Sequence, residues 1–181
     1  MPDKKELERT VSTYWYNHPE ETDSLGLLLG ALPACGAGVM SRETYPLHVT
    51  CSAAVVRPGG LVLEIFHRKL GKWLFPGGHI DAADGTLQET ALRELEEETG
   101  ISAGPEYRYL FEISTHRIPA QGPAEEEPAH WHADLAYAVI LDYSPEITLK
   151  EDEVVLHRWA EPGHPHLRAL QPRGSRQHAR P

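Results

Sequence analysis

The segment from Thr86 to Gly100 constrains this chain more than any other, because it carries its own start and stop signals. Thr86-Leu87-Gln88-Glu89 fits a capping box, with Thr86 as N-cap and Glu89 at the third helical position. Gly100 fits the left-handed residue that closes a helix. Between them Leu92, Leu95 and Thr99 share one face with Ala91 beside it, which predicts packing against a sheet. The opposite side is acidic. Glu94, Glu97 and Glu98 stand at i, i+3 and i+4 and project together. Like charges at that spacing repel by about 0.2–0.5 kcal/mol per exposed pair. Within the segment only Arg93, one helical turn before Glu97, compensates them. Such a stripe is either a solvated acidic face or a holder for a hard divalent cation, Mg²⁺ or Mn²⁺.

The rest of the chain alternates helix and strand signals. Lys4 to about Asn17 sets Leu7, Val11 and Tyr14 at helical spacing, and His18-Pro19 stops it. A second helix is expected from about Glu20 to Leu32, stopped by Pro33. Strands are expected at His48–Val56, Leu61–Phe66, Tyr107–Ile113, Asp134–Leu141 and Glu153–Trp159, with Pro58-Gly59-Gly60 turning the first pair. A length of 181 residues suits one domain with modest extensions, and a mean hydropathy of −0.43 suits a globular chain.

Charge and cysteine content exclude several classes. With 17 Lys+Arg against 27 Asp+Glu the formal charge is −10, so the overall basic footprint for duplex nucleic acid or an anionic membrane is missing. Apolar runs such as Leu25–Leu32 fall short of the ~20 residues a bilayer span needs. Met1 to Leu7 is charged and lacks a signal-type apolar region, and Cys35 and Cys51 form no CxxC pair. A reduced cytoplasm is the expectation.

Ahead of the acidic helix lies Trp73-Leu74-Phe75-Pro76-Gly77-Gly78-His79, a stretch whose glycines let backbone approach a metal or a phosphate. Together, Gly78 to Ile101 closely resembles the Nudix box, Gly-x5-Glu-x7-Arg-Glu-U-x-Glu-Glu-x-Gly-U with U aliphatic. The second half matches at Arg93, Glu94, Leu95, Glu97, Glu98, Gly100 and Ile101. The first half is one residue longer than the pattern. Asp84 stands where the first Glu belongs when counted from Gly78, and Asp81 competes for the same role.

The resemblance implies an α/β fold, a Nudix-like α/β/α sandwich with a mixed sheet. The expected organisation is an N-terminal helical extension over 1–45, a Nudix domain over 46–160, and a Pro/Arg/His-rich mobile tail over 161–181. The implied activity is Mg²⁺-dependent hydrolysis of a diphosphate linkage in a nucleoside diphosphate derivative or related organic diphosphate. Glu94, Glu97 and Glu98 would bind Mg²⁺, with Mn²⁺ as substitute, and the carbonyl of Gly77 or Gly78 would complete the shell. Glu94 or Glu98 would take a proton from the attacking water, and Arg93 would orient Glu97. A Nudix-fold sensor that binds without cleaving is the alternative, favoured only by the extra loop residue. A prenyl-diphosphate isomerase ranks below both, since neither Cys35 nor Cys51 lies in the Gly-rich loop.

Outside the box, His130, His132 and Asp134 alternate and share a face if they lie on a strand. A hairpin centred near Ala124 would set His116 opposite His132. These four residues suit a transition metal, a substrate contact or a structural role. His79 is a candidate phosphate or metal contact, and Arg68 with Lys69 are candidate phosphate contacts. Trp73 is expected to anchor the loop, and Trp131 and Tyr137 either stack on a planar group or pack. The loop Pro119–Pro128 is long and acidic, and is either a lid over the pocket or simply mobile. The expected partner is a small-molecule diphosphate, and the N-terminal helices could cap the domain or form a homodimer contact.

Overall fold

A run of β-branched and small residues forms strand β1 (Leu47–Val56) in the middle of the sheet. The structure is a computed structural model, and it describes residues 1–104, 108–120, 122 and 127–169. Every residue of β1 is buried, yet neighbours alternate in kind. Leu47, Val49, Cys51, Ala53 and Val55 enter the main core, while His48, Thr50 and Ser52 take the other face.

The sheet continues through β2 (Val62–His67), β3 (Lys72–Leu74), β4 (Gly77–His79), β5 (Arg108–Ile118), β6 (His130–Ile140) and β7 (Val154–Ala160). Its order is β3-β2-β1-β6-β5, with β4 paired to β1 and β7 to β2. Strands β1 and β6 run parallel over their whole length, and the other pairings are antiparallel. Helices α1 (Lys4–Asn17), α2 (Thr22–Cys35) and α3 (Leu87–Thr99) cover one face through Leu7, Val11, Leu28, Leu87 and Leu95. The short helix α4 (Pro165–Ala169) sets Leu167 against Val56, Phe111 and Ala138 on the other. The result is an α/β/α sandwich around a mixed sheet.

The acidic helix follows its sequence signals closely. Thr86 accepts the Glu89 amide at 3.1 Å, and Gly100 closes α3 at φ 72°. Other elements depart from expectation. Helix α2 runs through Pro33 to Cys35, because a proline in the last turn disturbs only one hydrogen bond of a helix that is already ending. Strand β6 begins at His130 and β5 extends to Ile118, since each supplies the other's hydrogen bonds from Ile118↔His130 onward. Strands β3 and β4 have no local signal. Gly77 and Gly78 are poor strand formers, and only pairing with Ser52 and Cys51 makes them one.

The apolar run is also longer than expected. Pro19–Met40 is a continuous helical stretch of 22 residues, long and apolar enough to cross a membrane. Tertiary contacts give part of it a different use, because Leu25, Leu28 and Leu32 are buried in the main core. The expected strand start at Tyr107, most of the acidic loop around Ala124, and the tail from residue 170 onward lie outside the described residues.

Candidate active site

A cleft of about 1000 Å³ opens between α3, β4 and the polar face of the sheet. Helix α3 packs on the sheet through Leu87, Ala91 and Leu95, which turns Glu94, Glu97 and Glu98 toward the cleft. Their burial is graded. Glu98 is 2 % exposed, while the Glu97 side chain is 44 % exposed. The Glu98 carboxylate accepts the Gly77 amide at 2.9 Å. Burial pushes its pKa up to about 8 against the pull of that amide, with the Glu94 and Glu153 charges adding to the rise. Burial also raises Glu94, although the Arg93 guanidinium beside it lowers it again.

The Gly-Gly pair lets these carboxylates meet the backbone. A Cβ on Gly78 would stand 2.6 Å from Glu94 Oε1, and one on Gly77 would stand 2.7 Å from the Cys51 carbonyl oxygen. Strand β4 thus threads between β1 and α3 at a distance only glycine permits.

Arg93 organises the loop before the helix. Its Nε donates to Asp84 Oδ1 at 2.9 Å and its Nη2 to Asp84 Oδ2 at 3.2 Å. Nη2 also donates to the His79 carbonyl at 2.9 Å, and Nη1 reaches Glu94 at 3.0 Å and Glu97 at 3.2 Å. Asp84 in turn accepts from the Asp81 amide and the Thr90 hydroxyl. Its pKa is lowered because those bonds outweigh its burial, and the guanidinium is held well above its ordinary value by the same carboxylate.

The wall opposite α3 is built on the sheet's polar face. Asp134 accepts from Thr50 at 2.8 Å and also from Ser52. His116 lies directly across from His132 in the β5–β6 register. Burial holds His48, His79, His116 and His132 below the ordinary histidine range, His79 down to about 4 and His132 to about 2. Each is therefore a neutral imidazole at physiological pH.

The NUDIX domain family model matches residues 46–179 of this chain. The chain belongs to the Nudix family. It is 50% identical to Phosphatase NudJ of Escherichia coli strain K12 over a stretch covering 44% of this chain and 63% of NudJ. Phosphatase NudJ of Shigella flexneri matches by the same measures. The chain thus spans less than two thirds of the length of these curated relatives. The crystal structure of a MutT NUDIX hydrolase from Burkholderia pseudomallei aligns with a TM-score of 0.50 at 27% identity, covering 62% of this chain and 81% of that one.

Within this Nudix domain the extra loop residue is absorbed before the helix. The turn closes by the Asp84 amide donating to the Asp81 carbonyl at 3.2 Å, and Gly85 donates to Glu89 at 2.7 Å. Asp84, not Asp81, holds Arg93. The Asp81 carboxylate instead accepts the Ala83 amide.

Glu94, Glu97, Glu98, Arg93, Gly78, His79, Arg68, His116, His132 and Asp134 all border the Nudix cleft. His130 does not. It is 1 % exposed and is not part of the cleft wall, and its Nε2 lies 3.0 Å from that of His132, which is. Tyr137 is buried in the core and Trp131 packs against it, because both alternate onto the apolar side of β6. Trp73 lies under the Arg158 guanidinium, 4.2 Å from its ring centroid, and edge-on to Phe66. Glu127 reaches Lys69 at 3.0 Å, and Arg68 donates to the Glu151 carbonyl at 2.8 Å. The cleft also contains Arg42, Lys72, Lys150, Glu112 and Glu153, none of which stands out in the sequence. They come from segments far apart in the chain, although Lys150 and Glu153 pair with each other at 3.1 Å.

Proposed function

We propose that this Nudix domain hydrolyses a diphosphate linkage in a nucleoside diphosphate derivative or a related organic diphosphate, with Mg²⁺ as cofactor. The observation that carries the reading is the Glu98 carboxylate. It is buried, turned toward the cleft and, among the described residues, without a Lys, Arg or His in ion-pair range. Burying an uncompensated carboxylate is costly, and a hard cation relieves the cost. The donor types suit such an ion: the Glu94 carboxylate lies against Gly78, the Glu98 carboxylate against the Gly77 amide, and Glu97 borders the same cleft. When bound, Mg²⁺ neutralises diphosphate oxygens and acidifies bound water.

The chain's own residues do the rest. Asp84 and His79 hold Arg93, and Arg93 fixes Glu94 and Glu97. Glu98, whose proton affinity is raised toward neutrality, is the favoured acceptor for the proton of the attacking water, with Glu94 second. Arg68, His79, His116, His132 and Asp134 line the substrate side, and Lys72 adds positive charge there. The alternative, a non-cleaving sensor, rests on the extra loop residue, which the turn ending in the Asp84–Arg93 pair accommodates.

The test is a panel of nucleoside triphosphates, nucleotide sugars, dinucleotides and prenyl diphosphates incubated with Mg²⁺, with products identified by mass. At least one should be cleaved between its phosphates in the wild-type protein, and not after Glu98→Gln. Binding of a nucleotide derivative with no cleavage of any compound would establish the sensor instead.

A further inference from the structure

Five histidines meet on the polar face of the sheet, none of them on α3. His48 on β1 is the register neighbour of His132 on β6, and His132 faces His116 on β5. His79 on β4 enters beside Thr50. The His48 and His130 rings stack with centroids 4.8 Å apart, and Tyr45 meets His130 edge-on at 5.4 Å.

Two of these rings have their tautomer fixed. His48 Nδ1 donates to the Thr44 carbonyl at 3.1 Å, and His130 Nδ1 donates to the Pro128 carbonyl at 2.8 Å. A carbonyl only accepts, so each Nδ1 carries the proton and each Nε2 presents a lone pair. Both rings are 1 % exposed, so water does not satisfy those lone pairs freely. Second imidazoles face them: His79 Nε2 is 3.1 Å from His48 Nε2, and His132 Nε2 is 3.0 Å from His130 Nε2. One ring nitrogen each from His48, His130 and His132 lies within 4.8 Å of the others. Ligand nitrogens around a tetrahedral ion with bonds of 2.0–2.1 Å are about 3.3 Å apart, so small ring rotations suffice.

The geometry points to a transition-metal site of the Zn²⁺ class, held by His48, His130 and His132 with His79 as fourth ligand, distinct from the glutamate cluster. The backbone carbonyls that fix His48 and His130 are the outer-shell partners such a site uses to orient its imidazoles. The ligand chemistry separates the two sites. Imidazole selects zinc, cobalt or nickel, whereas the carboxylates of α3 suit Mg²⁺. Glu127 Oε1, 3.9 Å from His130 Nε2, supplies negative charge beside the site. His79 and His132 border the cleft, and His48 and His130 close the buried side.

The experiment is titration of the full chain with Co²⁺ in excess Mg²⁺, followed by visible absorption, with Zn²⁺ competition by calorimetry. The wild-type protein should take up one equivalent, with the intense bands of four-coordinate Co²⁺, and Zn²⁺ should displace it. His132→Gln and His79→Gln lie at the cleft wall and are chosen over changes at the buried rings. His132→Gln should weaken uptake by ~100-fold or more with an unchanged far-UV circular dichroism spectrum. Glu98→Gln should leave it unchanged. Absence of uptake by the folded wild-type protein would overturn the inference and leave a hydrogen-bonded imidazole network. Uptake lost in Glu98→Gln but kept in His132→Gln would overturn it as well.

Discussion

Arg93 and Asp84 form a two-pronged ion pair, with Nε to Oδ1 at 2.9 Å and Nη2 to Oδ2 at 3.2 Å, across the loop that precedes the acidic helix. Asp84 is 5 % exposed and also receives the Asp81 amide and the Thr90 hydroxyl. Asp84→Asn keeps the size and removes the charge. It should lower unfolding free energy by roughly 1–3 kcal/mol, the cost of weakening charged hydrogen bonds while Glu94, Glu97 and the His79 carbonyl still hold Arg93. Urea denaturation checks this, and a change below ~1 kcal/mol would show that the pair is screened as surface pairs are.

The two glycines of β4 should respond differently to the same change. In Gly77→Ala the new methyl meets β1 itself, at Ser52 Cα and the Cys51 carbonyl, both 2.7 Å away. Backbone cannot yield easily, so this variant should lose about 1–3 kcal/mol of stability. In Gly78→Ala the methyl meets the Glu94 carboxylate, the movable end of a side chain. That variant should keep most of its stability and lose at least tenfold in Mg²⁺ affinity, measured by calorimetry. Equal thermal midpoints for the two variants would contradict the distinction.

Glu98→Gln removes the candidate proton acceptor and one oxygen ligand while preserving shape. Turnover of whichever diphosphate the wild type cleaves should fall by ~10²–10⁴, the range general-base loss produces. Glu97→Gln, at a side chain 44 % exposed, should fall less. Steady-state kinetics at saturating Mg²⁺ rank the two, and the reverse order would move the acceptor role away from Glu98.

Stability of the cation-free protein should peak near neutral pH. His48, His79, His116 and His132 are held below their ordinary value of 6.5 when folded, so the unfolded chain binds more protons there and stability is lost as pH falls below it. Glu98 is raised from 4.5 to about 8, so the folded chain binds the extra proton and stability is lost as pH rises toward 8. Thermal melts in chelator between pH 4 and 8 should show both limbs. Glu98→Gln should flatten the upper limb, and Mg²⁺ should oppose it by binding the ionised form. An upper limb as steep in the variant as in the wild type would assign it to other groups.

Local signals were enough wherever a segment's neighbours along the chain decide its state. Thr86, Glu89 and Gly100 bracket α3 because capping is settled within a few residues, and the i, i+3, i+4 spacing alone put Glu94, Glu97 and Glu98 on one side. The pairing of His116 with His132 followed from strand alternation and a hairpin centre. Burial was not legible in the same way. Nothing in the spacing says that Glu98 is enclosed and Glu97 is not, because that depends on where β4 runs. Nor does it say that His130 is enclosed while His132 borders the cleft.

The amino-acid order by itself therefore determined the acidic helix and the side chains along it, since periodicity and capping are short-range properties of the backbone, and the motif they carry resembles the Nudix box. Tertiary structure alone decided the partner of Arg93, the buried state of Glu98, and the meeting of His48 and His79 with His130 and His132. Those contacts join residues from separate strands and loops, and only the packing of β4 and α3 against β1 and β6 brings them within reach of one another.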